Sequence, residues 1–424
     1  MHARNIFWNL LGLGLPLLIA AFTIPNLISR IGTERFGFLA LAWGLIGYAG
    51  ALDLGVGRAV TQRIAAIRGN PLESDIPDVI ASAVRITATI GIAGLVVISL
   101  GGIFGGYDLI PRTVVGRGEV LLSILLLAVA IPMQAISATY RGVNEAYLNF
   151  KNINFLRVFL GAANFGGPFI IALYTDQLYW LIATLVISRA LALVAYRQFA
   201  YRCLPKKLMV DKGHFKMDQA KKLLEFGGWV TLSSVISPFL VQADRFFVGA
   251  LISAAAVTLY VIPYEITVQS MILVGAVTTV AFPVVSNLIF SDKVLAYQVF
   301  NTWLVRIVCI MFVVMSVLAF LMPFILELWV KKYVSQESVM VGRILCVGVF
   351  FNAIGAMYYS YLHAHGRTKI TALFHLFELP IFVGMLYVLI TRFGVEGAAL
   401  AWSARVLLDA ALLMFASKLL MREK

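Results

Sequence analysis

Runs of about 20 apolar residues, the length that crosses a bilayer as a helix, follow one another along this chain from one end to the other. In hydrocarbon every backbone N–H and C=O must be satisfied within the protein, so only helices and closed barrels can span. The runs are continuous rather than alternating, which excludes a barrel. Charged residues make up only 13% of the 424, about half the share in a soluble domain. Mean hydropathy is +0.91. The chain reads as an all-α polytopic membrane protein.

Twelve helices are expected: 7–29, 36–60, 78–104, 119–140, 152–174, 178–199, 224–250, 256–287, 302–328, 339–362, 371–391 and 397–420. The run after Arg4 holds Pro16 and Pro25 and leads into no small-residue cleavage site, so it is the first membrane helix rather than a signal peptide. The longest polar segment, YRCLPKKLMVDKGHFKMDQAKKLLEFG, divides the helices six and six. This sets an N-terminal lobe at 1–200, a basic linker at 201–223 and a C-terminal lobe at 224–424. With the N-terminus inside, the inward loops and tails hold nineteen Lys and Arg against seven outward. That asymmetry places both termini in the cytoplasm. The net charge of +13 is therefore first a matter of topology, and no nucleic-acid partner is implied. The linker is a positive-inside segment that could also meet acidic headgroups.

The halves resemble one another. NFKNINF followed by ISRA recurs as GRTKITA followed by SARV, with Lys151 and Lys369 218 apart and Arg189 and Arg405 216 apart. RIGTERFGFLAL aligns with LISAAAVTLYVI through Ile31 and Ile252, 221 apart. An even number of helices per half gives both copies one orientation, a recurring transporter plan. Nine prolines fall inside the expected helices, among them Pro132, Pro168, Pro263, Pro323 and Pro380. Each frees a carbonyl and favours a kink.

Charges inside the apolar runs cost about 2.5–3.5 kcal/mol each on insertion scales, so they pair, reach water or work. Eight arginines lie there (Arg58, Arg85, Arg157, Arg189, Arg245, Arg306, Arg343, Arg405), with five acids (Asp53, Asp244, Glu265, Glu378, Asp409) and no lysine. The guanidinium fork grips phosphate or carboxylate at two points and stays charged when buried. A cavity lined this way favours an anionic, phosphate-bearing substrate. The candidates for substrate contact are Arg58, Arg85, Arg245, Tyr260 and Tyr264; those for ion coupling or gating are Asp53, Asp244, Glu265 and Glu378.

Structural readings stand beside each. Arg405 and Asp409 are four apart on one face and can neutralise each other. Arg157, Arg306 and Arg343 lie near helix ends and can snorkel. Asp53 and Arg58, in LDLGVGRAV, make either a hinge or a gate. Glu265 with Tyr260 and Tyr264 is either a proton carrier beside sugar-packing rings or a satisfied core glutamate, and Glu378 beside Pro380 has the same two readings. Asp244 and Arg245, in QADRFFVGALI, form a pair that differs between transport states, a static pair, or a snorkelling arginine. HAHGRTK offers His363 and His365 without a third ligand, so no metal is expected. The nucleotide-binding phosphate loop is absent. Three scattered cysteines define no disulfide framework.

Three stretches resemble the Wzx-type lipid-linked oligosaccharide flippases of the multidrug/oligosaccharidyl-lipid/polysaccharide exporter superfamily. They are NLISRIGTERFGFLALAWGLIGYAGALDLGVGRAVTQRIA, QADRFFVGALISAAAVTLYVIPYEI, and LHAHGRTKITA with RFGVEGAALAWSARVLLDA. The resemblance implies two six-helix lobes forming a V around a central cation-lined cavity. It implies an undecaprenyl-diphosphate-linked oligosaccharide turned from the inner to the outer leaflet of the bacterial cytoplasmic membrane by alternating access. Coupling to a proton or sodium gradient is implied, with no other cofactor, and association with other polysaccharide-assembly membrane proteins. It places Asp244 and Arg245 at the acidic–basic position in the outer part of helix seven, and Asp53 at the aspartate ending helix two. A drug or cation exporter of the same superfamily is the alternative. A membrane-embedded glycan-processing enzyme would need a catalytic constellation that the sequence does not show.

Overall fold

The structure, a computed structural model, describes residues 2–49, 55–69, 71–106, 115–209, 213–275, 277–278, 285, 288, 292–330, 335–365 and 367–422. Among these the chain is helical, with no strand. The longer helices are α1 (His2–Ala49), α2 (Val56–Ile67), α3 (Ile76–Gly101), α4 (Arg117–Ala146), α5 (Phe150–Ala172), α6 (Leu178–Cys203), α7 (Met217–Leu251), α8 (Ala254–Val268), α9 (Lys293–Val330), α10 (Gln336–Ala364) and α11 (Thr368–Arg422). Eight stretches of the described residues are long and apolar enough to cross a membrane. One of them, Lys369–Leu420, runs to 52 residues, and Gly394 breaks it with φ 58° and ψ −136°. Gly32 does the same in α1 with φ 79°. Glycine takes this region without the clash a β-carbon would make. Phe104, Phe320, Phe324 and Leu328 are exposed, as side chains facing lipid rather than water should be.

The helices differ from the sequence expectation mostly at their ends. The expected 36–60 helix is interrupted: Gly55 adopts a left-handed conformation, φ 70°, and opens α2 as a separate helix running on to Ile67. Much of the expected linker is helical too, because α6 continues to Cys203 and α7 begins at Met217. Polarity marks where a helix leaves the bilayer, not where its hydrogen bonding stops. The expected 256–287 helix is described as α8 to Val268, with a turn at 269–270 and helix again over 271–275. Ser253 caps α8 by accepting from Ala256 N at 3.1 Å. Ser335 caps α10 by accepting from Ser338 N at 3.0 Å, each satisfying a donor the first turn leaves free.

The chain forms two compact units, Met1–Phe239 and Leu240–Lys424, the division falling within α7. Small residues let helices in unit 1 approach closely. A β-carbon on Gly142 would sit 2.3 Å from the Gly57 carbonyl oxygen, and one on Gly91 2.5 Å from Pro132 Cα. Thr61 reaches across the first of these crossings, donating toward Gly142 O and Gly57 O at 3.1 Å each. Val60, Ile64, Ile76, Val79 and Val143 pack into one buried cluster there.

Polar clamps hold both ends of unit 1. Arg35 meets Glu119 through two nitrogens at 2.8 and 3.1 Å and Asp176 at 3.3 Å. Glu119 Oε1 also accepts from Leu178 N at 2.7 Å, so one carboxylate ties the starts of α4 and α6 to α1. At the other end Asp78 accepts from His214 N at 2.7 Å and pairs with Lys216 Nζ at 2.5 Å. That docks the segment before α7 onto the first turn of α3.

Candidate functional site: buried charges in the two units

In unit 2, α7 supplies Asp244 and Arg245, and α8 supplies Tyr260, Tyr264 and Glu265. Neighbours in a helix do not face each other, and this pair turns to different partners. Asp244 is fully buried; its Oδ1 accepts from the Arg245 backbone N at 2.7 Å and its Oδ2 from the Tyr260 hydroxyl at 2.5 Å. The Arg245 guanidinium lies 5.3 Å from the Tyr264 ring centroid, and its Nη2 is 3.7 Å from Glu265 Oε1. Tyr260 and Tyr264 stack at 5.9 Å with 28° between planes. Tyr264 meets Trp402 of α11 edge-on at 5.8 Å. An internal ion pair between Asp244 and Arg245 side chains is thus not what holds them: a tyrosine hydroxyl supports the acid, while a ring and a partly exposed glutamate support the base. Tyr260, Tyr264 and Arg245 are all buried, so in this conformation neither ring is open to a sugar.

A second cluster lies within α11. Glu378 is fully buried, and neither of its carboxyl oxygens meets a hydrogen-bond donor. The Asp409 carboxyl stands at hydrogen-bonding range of it, and the Arg405 guanidinium acts on it as well. Arg405 and Asp409, four apart, make no ion pair among the described residues. The fold across Gly394 instead brings Asp409 to Glu378. Arg405 lies over the Phe382 ring at 5.6 Å, and His375 feels both Asp409 and Arg405.

Unit 1 has the arginine without the acids. Arg189 of α6 is 5% exposed. Its Nη2 donates to Asn164 Oδ1 of α5 at 2.5 Å, and its Nε has no partner. Asn164 O in turn accepts from Trp43 Nε1 at 3.1 Å. The repeat offsets pair these residues with unit 2: Arg189 with Arg405 at 216, Asn164 with Phe382 at 218, Trp43 with Tyr264 at 221. Each unit therefore sets an arginine against the residue at the matching place in its neighbouring helix. Among the described residues, only unit 2 adds carboxyls at this place.

The remaining sequence candidates lie apart from these clusters. Arg58 on α2 and Arg85 on α3 are exposed, in unit 1, and neither forms an ion pair among the described residues. Asp53 lies outside the described residues. Sequence reasoning missed Asn164, His375 and the meeting of Glu378 with Asp409. Asn164 was legible through the repeat, by its offset from Phe382, and His375 by standing three residues before Glu378. The meeting of the two acids depends on how α11 folds back, which no local signal gives.

These features define a polytopic membrane protein that carries charge inside its helices, on a fold used by transporters. The chain belongs to the family described as "Polysaccharide biosynthesis protein", which matches residues 2–289. It is 29% identical over 414 residues to a Shigella flexneri protein named "Putative O-antigen transporter", covering 97% of this chain and 96% of that one. Its fold is similar to the lipid II flippase MurJ in an inward closed conformation, with TM-score 0.75 and 15% identity over 97% of this chain and 87% of that one. It is likewise similar to an inward-facing multidrug resistance MATE family transporter of the MOP superfamily, with TM-score 0.74 and 12% identity over 97% of each chain.

Proposed function

We propose that the protein is a flippase that carries an undecaprenyl-diphosphate-linked oligosaccharide from the inner to the outer leaflet of the bacterial cytoplasmic membrane, for surface polysaccharide assembly. It works by alternating access coupled to an ion gradient, with both termini cytoplasmic, and makes or breaks no covalent bond of the substrate. The O-antigen transporter relative and the flippase fold support the substrate class. The observation that carries the reading is the distribution of charge. Unit 1 holds Arg58, Arg85 and Arg189 with no ion pair among the described residues. Its described acids Glu34, Glu73, Asp75, Asp78, Glu119, Glu145, Asp176, Asp218 and Glu225 lie beside the break at Gly32 or toward helix ends. Guanidinium groups left without carboxylates suit a diphosphate. The acids of unit 2, Asp244, Glu265, Glu378 and Asp409, are the candidates for coupling.

The MATE likeness and the placing of Glu265 next to Tyr264 on α8 favour a second reading, export of a lipophilic cation. Binding to the protein in nanodiscs separates the two. Saturable binding of an undecaprenyl-diphosphate oligosaccharide, weakened at least tenfold by Arg58→Ala or Arg85→Ala, is expected. Binding of a lipophilic cation that ignores both changes and is lost with Glu265→Gln would transfer the protein to the exporter reading.

A further inference from the structure

Glu378 and Asp409 pose a problem of charge that the fold leaves unsolved. Glu378 is fully buried, both of its carboxyl oxygens lack a donor, and the fold of α11 across Gly394 brings another acid, Asp409, within hydrogen-bonding range of it. Asp409 Oδ1 is itself buried without a partner. Two carboxylates within hydrogen-bonding range, one of them fully buried and the other partly so, cannot readily both stay ionised, and such pairs hold a proton between them. Between two ionised carboxylates there is no donor; one proton supplies the missing hydrogen bond and removes the excess charge together.

The surroundings fit one proton better than a metal ion. On the same helix, Arg405 and His375 face the acids. Arg405 acts on Glu378 without forming an ion pair with it, so it lessens the local negative charge but supplies neither of that acid's oxygens with a donor. Toward α7 and α8, Arg405 interacts with Asp244 and Tyr264, whose neighbours are Arg245, Tyr260 and Glu265. From α10, Gly355 abuts Asp409, with Oδ2 3.5 Å from where its β-carbon would be, and Tyr359 stacks on His375 and meets His363. No group of three or more His, Cys, Asp or Glu able to hold a metal occurs among the described residues, and a guanidinium beside the acids repels a cation.

There is also a way in. A cavity of about 600 Å³ in unit 2 is lined by Met271, Gly275, Thr278, Tyr359, Ser360 and His363. From it an aromatic series leads inward: His363 against Tyr359 at 4.0 Å, then Tyr359 stacked on His375 at 6.2 Å with 10° between planes. His363 Nε2 also contacts Thr371 Oγ1 at 3.2 Å. His375 is the last of these groups before Asp409.

We propose that Glu378 and Asp409 form a two-carboxyl site for a single proton, filled from this cavity past His363 and His375. The proton binds a carboxyl oxygen of either acid and leaves by the same route, with no other bond made or broken. This rests on the transport reading only for its purpose, since it makes the proton the coupling ion; the site itself can be tested without substrate.

The test is infrared difference spectroscopy of the full chain in nanodiscs at neutral pH, reading the protonated carboxyl band. Wild type should show it. Glu378→Gln should abolish the band, and Asp409→Asn should shift it, because the buried Glu378 then carries its proton without a second acid beside it; a band left unshifted by Asp409→Asn would overturn the shared site. Loss of separate, additive parts of the band in the two variants would overturn the shared site. So would absence of the band from wild type, which needs no variant to fold, or its removal by saturating sodium, which would mark a metal site. His375→Ala should keep the band and slow its hydrogen–deuterium exchange severalfold; an unchanged rate overturns the route. Failure of lipid-diphosphate binding with this band intact would instead count against the flippase reading alone.

Discussion

Removing the Tyr260 hydroxyl isolates the support of Asp244. Tyr260→Phe keeps the ring, its stack on Tyr264 and its burial, and deletes only the 2.5 Å hydrogen bond to Oδ2. Asp244 then keeps one donor, the Arg245 backbone N at 2.7 Å. Orphaning a buried acceptor costs about 1–3 kcal/mol, and more when it is charged. Within membranes, side-chain hydrogen bonds average about 0.6 and reach about 1.7 kcal/mol. A carboxylate that is fully buried belongs at the upper end, so about 1–2 kcal/mol is expected. For a unit the size of Leu240–Lys424 unfolding by itself, that corresponds to a fall of roughly 2–8 °C in Tm. Tyr264→Phe is the matched control: no hydrogen bond from its hydroxyl occurs among the described residues, and its contacts to Arg245 and Trp402 are made by the ring. It should stay within about 0.5 kcal/mol of wild type. Thermal unfolding of both variants in one detergent, followed by intrinsic fluorescence, decides the matter. Asp244→Asn combined with Tyr260→Phe should be non-additive by at least about 0.5 kcal/mol. Equal losses for the two tyrosines, or a larger one for Tyr264→Phe, would refute the claim that this hydroxyl holds the acid.

Gly142→Ala should lower Tm and expression sharply, because its β-carbon would stand 2.3 Å from a backbone oxygen of α2. Gly384→Ala meets nothing within 4 Å and should be neutral or stabilising by up to about 1 kcal/mol. Glu119→Gln should cost about 1–3 kcal/mol, since Glu119 answers both Arg35 and the first turn of α6; limited proteolysis at that end of unit 1 should quicken with the loss of Tm. Arg189→Met removes a buried charge whose partner is a neutral amide. It should raise Tm, by an amount on the order of the roughly 2.5–3.5 kcal/mol insertion cost of that charge at most, while weakening lipid-diphosphate binding; a fall in Tm would show that Arg189 is better compensated than its contacts indicate.

The two arginine centres show why a repeat in sequence does not mean a repeat in chemistry. Arg189 and Arg405 occupy corresponding places, yet one meets Asn164 and the other lies over Phe382 near two acids. On the proposed flippase reading, anion holding and ion response would be divided between the halves. The asymmetry lies in a few substitutions at matching positions, Asn164 against Phe382 among them.

By itself the sequence determined the class. Apolar runs of spanning length force helices, because hydrocarbon offers no partner to a free backbone group. It also located the charges that need explanation, since an ion in an apolar run is costly wherever its helix goes. Helix ends were less legible: α6 and α7 run on past the apolar stretch, and Gly55 interrupts a continuous pattern through a backbone angle that composition does not reveal. Only the tertiary structure decided partners. Spacing of four suggested Arg405 with Asp409, and adjacency suggested Asp244 with Arg245. The fold sent Asp409 to Glu378, Asp244 to Tyr260 and Arg245 to Glu265. Periodicity says which face of a helix a side chain occupies; which helix lies against that face is settled by packing between distant segments.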